Sequence, residues 1–450
     1  MNETRKTTLG RLGSMVGSIT ALALPRAERR ANRLARLLAT LISERGEASG
    51  AVMARRAVAL YKGLDDDGRR HFFDLLVRDF SPNPRQVLSA AEAYYQAPTP
   101  ANLAFLQFVA EPPRQEVFRR MNMAPGGTEV LVSLRTALLK ELKTHPEYAV
   151  IDHDLQHLLG SWFNRGFLEL RRIDWNTPAA ILEKLIQYEA VHAIQGFPDL
   201  KRRLAADRRC FGFFHPALPQ DPLIFVEVAF TDDLPSAVAP ILSLDSAIGD
   251  PRKARCAVFY SITNCQEGLR GISFGNFLIK QVAADLHAEL PNLRIFATLS
   301  PVPGFTKWLT RQTGERNLWA DDVARQEIGG LAKRQGLPPP ESSERIEQLL
   351  AWYLTREWDS GQSRDPVARF HLGNGARLER INRAADLSPK GAAQSLGFMV
   401  NYVYDLADVE ANHEAYVNAH KVAASGAVER AARSAEPLWA RTDAEKLSGR

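Results

Sequence analysis

The stretch that decides the fold is Ala257–Ser300, AVFYSITNCQEGLRGISFGNFLIKQVAADLHAELPNLRIFATLS. Ala257–Ile262 is a short apolar run of β-branched and aromatic residues, the pattern of a buried strand, and Leu293–Leu299 is a second. Between them a glycine-bearing loop leads into helical spacing over Gly275–Leu290. Strand, glycine loop, helix, strand is an α/β unit. Outward from it, Leu223–Phe230 (LIFVEVAF) and Gly166–Trp175 (GFLELRRIDW) also carry strand character, and Pro178–Glu189 is helical.

Upstream the text changes. From about Arg30 to Leu159 it reads as helix after helix: Leu34, Leu37, Leu38, Leu41 and Ile42 share a face, as do Phe72, Leu75, Leu76 and Phe80. Ser81-Pro82 and Asn83-Pro84 break the run, and Thr99-Pro100 is an N-cap followed by proline at the first helical position. We therefore expect a multidomain chain. Residues 1–160 form an all-α bundle that braces and self-associates, and 161–450 form an α/β domain carrying a helical insertion at about 306–366. Leu406–Leu447 reads as helical.

With 45% hydrophobic and 24% charged residues over 450 positions, the composition is that of a soluble globular protein, neither disordered nor membrane-embedded. A net charge of +5 is a mild excess over this length and does not by itself imply a nucleic-acid-binding surface. Three dispersed cysteines, Cys210, Cys256 and Cys265, give no disulfide framework and favour a reducing, cytoplasmic setting. His153 and His157 lie one helical turn apart without the glutamate of HExxH, so they read as surface residues and no metal is expected. Leu9–Pro25 is too interrupted by glycine, serine and arginine for a signal peptide, and an organellar transit sequence including Arg26–Arg36 ranks second to an ordinary N-terminus.

The loop Arg270-Gly271-Ile272-Ser273-Phe274-Gly275-Asn276 sits where glycines let backbone amides approach a phosphate at a helix N-terminus. It has neither GxGxxG nor GxxxxGK[ST], which removes the main support for NAD and ATP. It resembles the R/Q-x-x-G-x-G/A loop that holds the CoA pyrophosphate in the GNAT acyltransferase superfamily, departing from it at Ser273. Read alone, the glycines serve turn geometry equally well.

A longer likeness adds to this. Tyr260–Gln281, Ala297–Leu309 (ATLSPVPGFTKWL) and Phe370–Asn382 (FHLGNGARLERIN) each resemble segments of the malonyl-CoA decarboxylase family, as do Trp162–Trp175, Arg203–Thr231 and Ala384–Tyr404. The resemblance implies a GNAT-like domain that converts malonyl-CoA to acetyl-CoA and CO2 without a cofactor, because the thioester carbonyl itself takes the electrons as an enolate. It implies CoA binding by Arg270–Asn276, a catalytic Ser300 and a proton-donating His371 beside the substrate, and Tyr404 near the acyl pocket.

The residues by themselves allow less. Ser300 follows a strand and precedes Pro301, so its hydroxyl serves either an acyl group or a Ser-Pro turn; it is in no GxSxG elbow. His371 alternates with Phe370 and Leu372 as on a strand, with Asn374-Gly375 as a hairpin turn. Imidazole suits proton transfer near neutrality. His215 lacks a comparable match. Tyr404 reads equally as an aromatic strand residue, and the basic runs Lys201–Arg203, Arg208-Arg209 and Arg252–Arg255 read as solvated faces. A GNAT acyltransferase and a non-catalytic acyl-CoA-responsive module stay open as rivals. The expected partners are malonyl-CoA and further copies of the chain, as a dimer or tetramer, with no nucleic acid and no membrane.

Overall fold

The computed structural model describes residues 25–43, 46–272, 278–314, 322–334 and 336–436. Ser273, Phe274, Gly275 and Asn276 of the glycine loop, Leu9–Leu24 and the end of the chain from Pro437 lie outside the described residues. The chain divides into two compact units.

The first unit takes the described residues up to Leu168, together with His215–Pro219 and the described part of Gln266–Phe274. Its helices include Arg26–Ser43, Asp66–Asp79, Pro84–Gln96, Pro100–Ala110, Gly127–Glu141 and Ala149–Trp162. Helix starts follow the capping chemistry of the sequence: Asn83 and Thr99 accept amides of the first turn, each followed by proline. The core is the expected stripe, with Leu34, Leu38, Leu41, Phe72, Leu75 and Leu76 buried. His153 and His157 are exposed on Ala149–Trp162.

The segment Gln266–Ile272 belongs with these helices for a physical reason. Gly268 lies so close to the helix Gly127–Glu141 that a Cβ would meet the Val132 carbonyl oxygen at 2.1 Å. Arg135 of that helix, wholly buried, donates to the carbonyls of Gly268 and Arg270, both at 2.8 Å, and to Asp152 at 2.7 Å.

The second unit is built on a mixed sheet. Strands β1 (Glu169–Ile173), β2 (Arg208–Phe214), β3 (Ile224–Thr231) and β4 (Cys256–Asn264) run as an antiparallel series. β5 (Ile295–Thr298) then joins β4 in parallel through the helix Leu278–Glu289. β6 (Ser300–Pro301) continues the line of β5 after Leu299. β10 (Met399–Val403) pairs antiparallel with β5 and β6 on one edge and with β9 (Arg377–Asn382) on the other. The strand–loop–helix–strand reading of Ala257–Leu299 thus holds, and the domain has the mixed α/β character expected of it.

Between β6 and β9 come the helices Phe305–Gly314, Asp322–Arg334 and Pro340–Arg356, where the insertion was expected, followed by a small hairpin of β7 (Trp358–Asp359) and β8 (Gln362–Ser363) that periodicity did not reveal. Among the described residues, the C-terminal helical stretch comprises two helices, Val409–Ala419 and Gly426–Ala435.

Two expectations are corrected here. The first is the Phe370–Leu372 strand: His371 lies on the helix Pro366–Gly373. Asp365 caps that helix through the Val367 and Ala368 amides, Pro366 opens it, and Gly375 takes the left-handed conformation (φ 80°) that ends it. A three-residue alternation cannot outweigh those capping signals. Asn374-Gly375 is therefore a helix terminus, and the strand begins at Arg377.

The second correction concerns the basic runs. Arg202, Arg203, Arg208 and Arg209 are buried. Each finds carboxylates: Arg203 donates to Asp199, four residues back, and to Glu227 of β3; Arg202 and Arg208 share Asp207; Arg209 pairs with Glu289. Pairing with a carboxylate is what permits guanidinium burial. Lys201, Arg252 and Arg255 are exposed, as expected.

Candidate active site

β4 and β5 separate where chemistry can enter. Their pairing runs from Cys256–Ile295 to Phe259–Thr298, with a last bond from the Leu299 amide to the Phe259 carbonyl at 3.1 Å. Beyond it, Tyr260 is an extra residue bulged against β3, and β4 continues to Asn264 paired with β3 alone. The gap is a crevice of about 250 Å³. Phe259, Tyr260, Ile262 and Asn264 form one wall and Ser300 with Pro301 the other. Val191, Pro366, Val367, Phe370 and His371 complete it, and among the described residues these walls hold no Asp, Glu, Lys or Arg.

Strand periodicity sets the side chains. Thr298 and Ser300 are two residues apart along β5 and β6, as are Tyr402 and Tyr404 along and just past β10, so each pair projects to one face. Ser300 Oγ lies 3.1 Å from His371 Nε2 and donates to Thr298 Oγ1 at 2.8 Å. His371 Nδ1 lies 2.8 Å from the Tyr404 hydroxyl, and the Tyr402 ring stacks on the imidazole at 4.7 Å. All five side chains are buried. The structure thus brings Ser300, His371 and Tyr404 into one hydrogen-bonded chain, although the sequence set them on distant segments.

Burial governs the electrostatics. It pushes the His371 imidazole down to about 3, so the ring is neutral at physiological pH. It pushes the Tyr404 phenol well above its ordinary value, so that hydroxyl keeps its proton. A neutral imidazole between two hydroxyls makes a hydrogen-bond donor and a poor base.

His215, the other histidine weighed from the sequence, faces the Trp162 carbonyl through Nε2 and accepts the Ala217 amide at Nδ1, a structural role within the first unit. Arg270, Gly271 and Ile272 also belong to that unit. Gly271 has φ 79°, a backbone that side chains other than glycine rarely adopt.

Sequence reasoning missed two supporting residues. Asp365 accepts the Gly304 amide at 3.0 Å as well as capping the His371 helix, and Thr298 takes the Ser300 proton. Asp365-Pro366 carries a readable capping signal, whereas nothing in the sequence marks Thr298 beyond its spacing from Ser300.

Residues 166–442 match the malonyl-CoA decarboxylase C-terminal domain and residues 80–163 its N-terminal domain. The chain belongs to the malonyl-CoA decarboxylase family. It is 36% identical over 409 residues to a mitochondrial malonyl-CoA decarboxylase of the goose Anser anser anser, covering 82% of this chain and 81% of that one. Two crystal structures of malonyl-CoA decarboxylases are similar throughout. That from Rhodopseudomonas palustris shares 48% identity with a TM-score of 0.84, and that from Agrobacterium vitis 45% with 0.83. Each comparison covers 89% of this chain and 99% of the other. The family assignment therefore spans both units and includes Ser300, His371 and Tyr404.

Proposed function

We infer that this protein decarboxylates malonyl-CoA to acetyl-CoA and CO2, with Ser300 and His371 acting on the malonyl group. The observation that carries the reading is the Ser300–His371 contact of 3.1 Å inside the β4–β5 crevice. As the bond between carboxylate and α-carbon breaks, its electrons pass to the thioester carbonyl as an enolate, and CO2 leaves. The apolar walls favour this direction, because a localised carboxylate needs solvation more than CO2 and a delocalised enolate do. His371 donates toward the developing enolate oxygen, and Ser300 joins it when its hydroxyl turns from Thr298 to the bound substrate. His371 then gives its Nε2 proton to the α-carbon while the Tyr404 hydroxyl, donating to Nδ1, steadies the ring, and a proton from solvent restores Nε2–H. One proton is consumed per CO2 released.

A donor role fits better than nucleophilic catalysis. An imidazole held near 3 is too weak a base to activate Ser300, and decarboxylation needs no acyl-enzyme. The same weakness counts against the acyltransferase reading, in which an amine must lose a proton. By its resemblance, the Arg270–Asn276 loop holds the CoA pyrophosphate.

Self-association is the second part of the proposal. The helices Pro84–Gln96 and Pro100–Ala110 expose Leu88, Tyr95, Leu103, Phe105 and Phe108, and the latter helix has no buried residue. Such a contiguous apolar run favours burial against another copy. We also propose a cytoplasmic location, supported by three buried free thiols that suit a reducing compartment.

The function is tested by incubating pure protein with malonyl-CoA and no acceptor. Equal amounts of CO2 and acetyl-CoA are expected. Persistence of malonyl-CoA, or release of malonate with free CoA, contradicts the reading.

A further inference from the structure

Ser300 has one hydroxyl proton and two acceptors within reach, Thr298 Oγ1 at 2.8 Å and His371 Nε2 at 3.1 Å. It donates to Thr298. The Tyr402 amide donates to the same Thr298 oxygen at 3.3 Å, so both acceptor lone pairs of that hydroxyl are used and its position is tied to backbone. At the other end, the buried Tyr404 hydroxyl has His371 Nδ1 as its partner at 2.8 Å. A buried hydroxyl proton without an acceptor is costly, so Tyr404 donates to Nδ1. The two ends agree: the imidazole accepts at Nδ1 and donates at Nε2.

We propose that Thr298 is a positioning residue which, by accepting the Ser300 proton, fixes the direction of the chain Tyr404→His371→Ser300→Thr298 and so holds His371 as its Nε2–H tautomer. The proton then sits on the nitrogen facing Ser300, where the α-carbon must receive it. It also turns the serine proton away from the imidazole, which keeps Ser300 from becoming a nucleophile. Thr298 is wholly buried and does not itself line the crevice, so it acts through Ser300 rather than on substrate. The catalytic consequence rests on the decarboxylation reading above; the tautomer does not.

The test is nitrogen-15 NMR of histidine-labelled full-length protein without substrate, with the His371 signals assigned by their loss in His371→Asn. Wild-type protein is expected to show the Nε2–H tautomer near neutral pH. Thr298→Val keeps the side-chain shape but removes the acceptor. The Ser300 proton then turns to Nε2 and the Nδ1–H tautomer becomes populated. Malonyl-CoA turnover should fall about tenfold to a hundredfold, the usual cost of losing an orienting partner, with KM nearly unchanged. Thr298→Ser should restore both tautomer and turnover. A wild-type Nδ1–H tautomer overturns the proposal without any variant, and so does a Thr298→Val protein with unaltered tautomer and near-normal turnover. If wild-type protein leaves malonyl-CoA untouched, the functional reading fails while the tautomer still decides the role of Thr298.

Discussion

Asp365 accepts the Gly304 amide on Oδ2 at 3.0 Å while its Oδ1 caps the helix that carries His371. One carboxylate thereby ties the turn four residues beyond Ser300 to the element that positions the imidazole. Gly304 has no room for more, since a Cβ would meet the Tyr353 hydroxyl at 2.3 Å. Asp365→Ala removes the cap and leaves buried amides unpaired, an expected loss of about 2–4 kcal/mol. Urea unfolding checks the stability. Steady-state kinetics on the folded variant should show turnover falling more than KM rises, because the Ser300–His371 spacing is what loosens.

The neutral state of His371 has a signature in acid. Its folded value is about 3, against about 6.5 in the unfolded chain. Between those values the unfolded state binds the extra proton, so this group makes stability fall as pH drops below about 6.5. His192, pushed down by burial to about 4, adds to the same trend. Unfolding free energies at mildly acidic and neutral pH should show a smaller difference in His371→Asn than in wild type. The free-enzyme rate profile should lack the inflection near 6.5 that an exposed histidine acid gives. An inflection there that His371→Asn abolishes would contradict a neutral, buried donor.

If the loop holds CoA as proposed, Arg135 and Gly271 govern that binding by shaping its backbone. Arg135 serves two loop carbonyls and Asp152 with one planar fork, which a lysine cannot reproduce. Arg135→Lys should weaken free CoA binding, and Gly271→Val should do so by straining a backbone at φ 79°. Calorimetry with CoA decides this; unchanged affinity in both folded variants removes the loop from CoA binding.

The exposed face of Pro100–Ala110 predicts an oligomer that depends on aromatic side chains. Phe105→Ser with Phe108→Ser should lower the mass measured by light scattering while leaving the fold intact by circular dichroism. A wild-type protein that is monomeric at micromolar concentration defeats the expectation.

Much of this architecture was legible because it rests on local signals. The β-branched runs at Leu223–Phe230 and Ala257–Ile262 mark buried strands, and Thr99-Pro100 marks a helix start. The site residues were legible through family likeness rather than pattern: Ser300, His371 and Tyr404 meet only after the sheet and the capped helix have formed. His371 was misplaced on a strand because three alternating residues were weighed above the Asp365-Pro366 cap. The arginines at 202, 203, 208 and 209 were misread because burial of a charge depends on a partner, and Glu227 and Glu289 lie on other elements. Arg135 was silent for the same reason, its loop carbonyls lying more than a hundred positions along the chain.

Ser300 separates donor from covalent catalysis. If its hydroxyl is a principal donor, Ser300→Ala should cost about 2.7–4 kcal/mol of transition-state stabilisation. Rapid quench of wild-type enzyme followed by intact-mass analysis should find no adduct. A malonyl or acetyl adduct on Ser300 that forms and decays at the turnover rate would establish a covalent route instead.

The most direct test of the central claim is the turnover of malonyl-CoA by His371→Asn, measured beside its binding of a nonreactive malonyl-CoA analogue. The account predicts a loss of about 10²- to 10⁴-fold in turnover, the range for a positioned acid, with analogue affinity changed far less. Near-normal turnover in a folded His371→Asn protein would contradict it.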